Sequence, residues 1–202
     1  MTSAFCGCEA SAASDYTITV GEHDFSATSG FEQTYSVSQI HIHPSYDSTT
    51  HDFDFCILQT STTITFNTYV QPACLPLSCS DECPDYADVM ISGWGSVEDG
   101  RNNVDILRKT RVPIEPRADC STSYTAVGLT ITDNMSCAGY TTSGGVGKCL
   151  GDRGGPMVCY RFGYFQLDGV ISLSEGCGQA GFPGVYSRIC QVLDWIDTTL
   201  TV

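Results

Sequence analysis

Residues 149–159 read Cys-Leu-Gly-Asp-Arg-Gly-Gly-Pro-Met-Val-Cys, and this run constrains the chain more than any other. Gly151, Gly154 and Gly155 crowd one short turn. Glycine takes φ > 0 freely and lets another group approach the backbone closely. A turn so built aims successive N–H groups into a concavity that holds negative charge. Asp152 places a carboxylate inside it, and Pro156 stiffens the exit. A hydroxyl or thiol at position 153 would be a nucleophile on a preformed anion hole. The residue there is Arg153. Its guanidinium stays protonated and carries donors only, with no lone pair for attack.

The chain has 202 residues, enough for one large or two small all-β domains. Apolar residues come in short runs between turn signals, with no repeat, low-complexity tract or run of membrane-spanning length. Nine Lys and Arg against 23 Asp and Glu give a net charge of −14. That argues against nucleic acid and against an anionic membrane as partners, and it leaves a basic protein surface open. Solubility alone is the favoured account of the acidity. Twelve cysteines point to disulfides and an oxidising compartment, and no Cys-x-x-Cys pair of metal-site spacing competes. Residues 1–13 lack the basic start and long apolar core of an export signal. The expectation is an extracellular protein whose signal lies in sequence upstream of Met1.

Alternation predicts strands over 15–20 and 34–43. Further strands are predicted at 89–95, 107–114, 134–138, 157–161, 164–172 and 184–188. A short helical connection is expected at 116–124 and a polar loop at 79–84. From Cys190 onward, Val192, Leu193, Trp195, Ile196 and Leu200 have the spacing of a terminal helix with one buried face. His41 and His43 stand two apart on one strand face, the geometry of a possible metal pair.

Several motifs occur in a telling order. Phe5-Cys6 is followed by Asp54, Cys74-Leu75-Pro76 and Gly93-Trp94-Gly95, then by the central loop and Pro183-Gly184-Val185-Tyr186. Together they make the chain resemble the chymotrypsin/trypsin-like serine proteases (peptidase S1) over essentially its whole length. The resemblance implies an all-β fold of two antiparallel six-stranded Greek-key barrels with a C-terminal helix. The first barrel is expected to be incomplete, because the family's first two strands lie upstream of the segment matched by residues 1–6. The implied division is 1–76 for the partial N-terminal barrel, 77–189 for the C-terminal barrel and 190–202 for the helix.

The resemblance places Asp54 at the triad aspartate, Phe5 at the histidine and Arg153 at the serine. A phenyl ring neither takes nor gives a proton. Asp54 therefore needs other donors, with backbone or Ser172 as the expected ones. Gly151 and the backbone of Arg153 match the oxyanion hole. Asp152 matches the carboxylate that pairs with a newly cut N-terminal ammonium in active relatives. Without that ammonium it must find another donor, Arg153 among the candidates, and the segment 141–148 is expected to be loosely ordered. The specificity pocket falls on Gly147, Ser172, Ser174 and Gly184, and it reads as uncharged, with the long Arg153 side chain partly filling it.

Cys120–Cys137 and Cys149–Cys177 match bridges of the family. Cys6 matches a cysteine whose partner lies upstream, and Cys159 one whose partner position is held here by Val89. Cys56 and Cys190 depart from the pattern and are expected to bridge each other, while Cys8, Cys74, Cys79 and Cys83 have no assigned partner. Glu22 and Glu32 match the acidic pair of the family's calcium loop, with Ser29 where a third carboxylate is common; no cofactor is expected, an exposed acidic loop being the favoured reading and calcium the one possible ligand. The function implied is that of an inactive homologue acting by protein binding as regulator, cofactor or decoy. Its partner would be an active protease or its inhibitor. Two alternatives are a residual or metal-assisted hydrolase using His41 and His43, and a decayed copy of an endopeptidase.

Overall fold

In the stretch after residue 87, alternate side chains turn to opposite faces, as a strand requires. Val89 and Ile91 of β4 (Asp88–Gly93) are buried, as are Val112 and Ile114 of β5 (Arg108–Glu115). The same rule shapes β6 (Met135–Ala138), β7 (Pro156–Arg161), β8 (Tyr164–Leu173) and β9 (Gly184–Arg188). These six strands close into an antiparallel barrel in the order β4-β5-β6-β9-β8-β7. Its interior is filled by Val89, Ile91, Val112, Ile114, Met157, Ile171 and Tyr186. The computed structural model describes residues 1–9, 12–98, 100–161 and 163–200. Positions 10 and 11 of the 1–13 segment and the last two of 190–202 thus lie outside the described residues.

Ahead of the barrel, β1 (Thr17–Val20), β2 (Gln33–Ile42) and β3 (Cys56–Thr60) form a three-stranded antiparallel sheet. Residues 1–6 run beside β3. Thr2 and Cys56 exchange backbone hydrogen bonds of 2.7 and 2.8 Å. Strand β3 begins only at Cys56, after Phe53 at φ 49°, in the left-handed region. Helix α1 (Arg117–Thr125) fills the connection expected at 116–124, and α2 (Leu193–Leu200) follows a 3₁₀ turn at Ile189–Val192. Ile189, Val192 and Ile196 pack on Val170 of the barrel and on Phe55 and Ile57 of the first sheet. The terminal helix therefore glues the two halves together.

Cys120–Cys137 and Cys149–Cys177 form as expected. Cys56 does not reach Cys190. Phe55 and Ile57 face the helix, so Cys56 between them points to the opposite face and bridges Cys8. Cys190 is bound instead by Cys79, on the 3₁₀ turn Cys79–Asp81. Cys159 is paired laterally with Val89 in the strand register, and Cys83 supplies the sulfur. Cys6 and Cys74 are free and exposed. The Cys79–Cys190 bridge spans 111 residues of sequence. Replacing both cysteines by serine is expected to lower stability by about 2–5 kcal/mol in denaturant titration, with the fold retained.

Candidate active site

The Asp54 carboxylate is 0% exposed, and its three donors come from two separate segments. Ser3 Oγ donates at 2.7 Å to both of its oxygens. The Phe5 N–H donates to Oδ1 at 3.0 Å, and Ser172 Oγ on β8 donates to Oδ2 at 2.6 Å. The expected backbone and Ser172 donors are both present. Ser3 was not legible, because nothing in its sequence context distinguishes it from other serines. With its hydroxyl committed to Asp54, Ser172 is absent from the pocket lining it was assigned to.

The loop entering Asp54 is strained. His51 and Phe53 have φ of 58° and 49°, a region costly for residues with a Cβ. Two anchors hold it. Asp47 Oδ1 accepts from the amides of Thr49 and Thr50. Asp52 accepts from Thr132 Oγ1 at 2.7 Å and from Asn134 Nδ2 at 3.1 Å, across to the barrel.

The mouth of the site is closed by a stack. The Phe5 ring meets His51 edge-on, with centroids 4.8 Å apart. Arg153 Cζ lies 4.0 Å above the same Phe5 ring, a cation–π contact. The Cys6 thiol donates to the Arg153 carbonyl at 3.3 Å. Burial pushes that thiol's pKa up, away from the reactive thiolate. Because Arg153 leans on Phe5, it does not line the pocket it was expected to fill.

Gly147, Ser174 and Gly184 do share one cavity, as expected, but it is nearly closed, at about 10 Å³. Lys148 lines it and is only 7% exposed. Its Cγ would lie 3.3 Å from a Cβ on Gly184. Lys148 thus borders this pocket, a residue that the uncharged expectation left out. The signal was present, since Lys148 directly follows the pocket floor at Gly147.

Asp152 also finds its donors in the backbone rather than in Arg153. It accepts from the Gly95 amide at 2.8 Å and the Cys149 amide at 2.9 Å. A Cβ on Gly93 or Gly95 would lie 2.0 or 2.5 Å from this carboxylate, so the Gly-Trp-Gly motif is the slot that admits it. A cavity of about 190 Å³ opens beside Asp152, lined by Ile91, Gly93, Arg108, Val146 and Ile171 among others. The neighbouring segment 141–148 is tied by Gly144 N–H to Tyr140 O and Gly145 N–H to Gly178 O, each 2.8 Å. Gly151, at φ 91°, is covered by the Asn103 side chain, which sequence reading missed.

The candidate metal ligands are engaged elsewhere. His43 stacks on Phe53 at 4.5 Å and accepts from the Ser45 amide, while His41 pairs with Gln59. Glu22 caps the amides of His23 and Asp24. Glu32 accepts from Ser29 Oγ, Ser29 N–H and Gly30 N–H. The Ser29 hydroxyl bond leads the causes that hold the Glu32 pKa down at about 2. These carboxylates serve as turn caps. Two clusters do bring cysteines beside an acid, Cys79-Glu82-Cys190 and Cys83-Cys159-Asp168, but their sulfurs are bound in disulfides.

A closed six-stranded barrel, a second sheet, a helix across both and a buried aspartate beside a Gly-Asp-x-Gly-Gly loop define the chymotrypsin-type protease scaffold. The chain belongs to the trypsin family, whose model matches residues 1–196. It is 39% identical over 183 residues to Trypsin-2 of Salmo salar, covering 91% of this chain and 74% of that protein. Anionic trypsin of Bos taurus is 38% identical over 187 residues, covering 91% and 70%. Trypsin-1 of Astacus astacus is 38% identical over 179 residues, covering 89% and 73%.

Two substitutions test these acids. Asp54→Ala strips the acceptor from two hydroxyls and an amide in a dry site. It is expected to lower unfolding stability in urea by about 3 kcal/mol. Gly95→Ala forces Asp152 out of its slot and off the Gly95 amide. A loss of about 2 kcal/mol should appear in the same titration, with a smaller effect from Val97→Ala on the exposed side of that loop.

Proposed function

We propose that this chain is a catalytically inactive member of the trypsin family that works by binding another protein. Its role would be that of a regulator, cofactor or decoy, and its partner an active protease or a protease inhibitor. The observation that carries this reading is the Phe5–Arg153 stack. Peptide hydrolysis on this scaffold needs an attacking atom and a proton acceptor held next to each other. At the two matching positions the side chains are a phenyl ring and a guanidinium, in contact with each other. Neither offers the lone pair that either role requires. Asp54, which would orient a histidine, spends its hydrogen bonds on Ser3, Ser172 and the Phe5 amide.

An extracellular setting fits the disulfides, five among the described residues. Among the described residues no helix is long and apolar enough to cross a membrane. No cation enters the proposal. The purified chain is expected to give no turnover of peptide esters or amides above a blank, and no labelling by a serine-directed phosphonate. Turnover that disappears in Asp54→Ala would overturn it.

A further inference from the structure

We infer that the cavity beside Arg153 is a carboxylate-binding site for an acidic side chain, Asp or Glu, on an extended segment of the protein partner. This rests on the binding role proposed above and names the chemistry of what is bound. The cavity has a volume of about 130 Å³ and is lined by Lys148, Leu150, Gly151, Arg153 and Ser174, with Cys149 and Gly176. Two of these residues are cationic, and no carboxylate is among them. That concentration of positive charge stands out in a chain of net charge −14 with only nine Lys and Arg.

The second observation is an unmet donor. Arg153 forms no ion pair among the described residues, and its Nη1 is buried without an acceptor. One face of the guanidinium is covered by Phe5, which fixes the plane of the fork. A buried donor left unpaired is costly, and a bound acceptor recovers that cost. A planar guanidinium held in one orientation suits a carboxylate, which can accept two parallel N–H bonds. Ser174 hydrogen-bonds the Gly176 carbonyl, holding the wall opposite the loop in place. A lysine or arginine side chain would instead meet two like charges.

The test is an NMR titration of the ¹⁵N-labelled chain with three acetylated hexapeptide amides differing only in a central Asp, Asn or Lys. The Asp peptide should bind at least tenfold tighter than the Asn peptide, and the Lys peptide weakest. Arg153→Gln should bring the Asp peptide to the level of the Asn peptide, and Lys148→Gln should weaken it severalfold. If Arg153→Gln does not fold, the Asp–Asn comparison on the unaltered chain and on Lys148→Gln decides. Equal binding of Asp and Asn, or preference for Lys, overturns the inference, as does a folded Arg153→Gln that keeps the preference. Mass spectrometry of the same samples separates the two levels. Cleaved peptides would sink the binding-only reading, whereas intact peptides bound without preference would sink the carboxylate site alone.

Discussion

A buried carboxylate dictates how the two halves of this molecule meet. The Asp54 side chain sits where water does not reach, and a polar group in that position is destabilising unless hydrogen-bond partners surround it. The donors come from the 1–6 segment, in Ser3 and the Phe5 amide, and from β8, in Ser172. Meeting that demand forces residues 1–6 to lie along β3, as the Thr2–Cys56 backbone pair records. The Cys8–Cys56 bridge then staples the same segment to the same strand. Around this point the terminal helix completes the seam, with Phe55 and Ile57 on one side and Val170 on the other. One electrostatic requirement thus aligns a terminal segment, a first-sheet strand and a barrel strand.

Asp152 repeats the arrangement on the other side of the central loop. Its two donors are backbone amides, and the slot that admits it exists because Gly93 and Gly95 have no Cβ. Gly-Trp-Gly is therefore a steric statement about a residue more than fifty positions away. The strain in the loop at His51 and Phe53 has the same origin. The chain must turn sharply to bring Asp54 under the 1–6 segment, and Asp52 holds that turn against Thr132 and Asn134.

How much of this could be read from the sequence depended on whether the signal was local. The barrel strands were legible to within a few residues, because alternating burial writes a period of two into β4, β5 and β7, and β8 and β9 are short apolar runs between turns. The positions of Asp54, Asp152, Gly147, Ser174 and Gly184 followed from motif order. The pairings of Cys56, Cys79, Cys83, Cys159 and Cys190 did not, because a bridge depends on which face a side chain takes and what crosses above it. Cys56 shows this plainly: one position along, Ile57 faces the helix that Cys56 cannot reach. Ser3, Asn103 and the donors of Asp152 were invisible for a related reason. A serine, an asparagine or a backbone amide carries no mark in sequence that it will stand beside a distant carboxylate or glycine. Lys148 was legible, since it directly follows the pocket floor at Gly147.

Exposure separates the positions that can change their chemistry from those that cannot. Asp54 is 0% exposed and Phe5 is 47% exposed, although both belong to the same constellation. Removing an acid that holds three donors in a dry interior costs the fold directly. A side chain at the open mouth has no such burden. The Phe5 amide, not its ring, is what Asp54 uses, so any residue with a backbone N–H serves there. Position 153 follows the same logic. The backbone of the loop is fixed by Gly154 N–H to Ile171 O at 2.8 Å and Gly155 N–H to Asp152 O at 2.9 Å, and neither contact involves the Arg153 side chain. Phe5 and Arg153 can therefore stack on each other while the acids beneath them stay in place as hydrogen-bond hubs. A scaffold arranged in this way keeps its shape whatever side chains stand at those two positions.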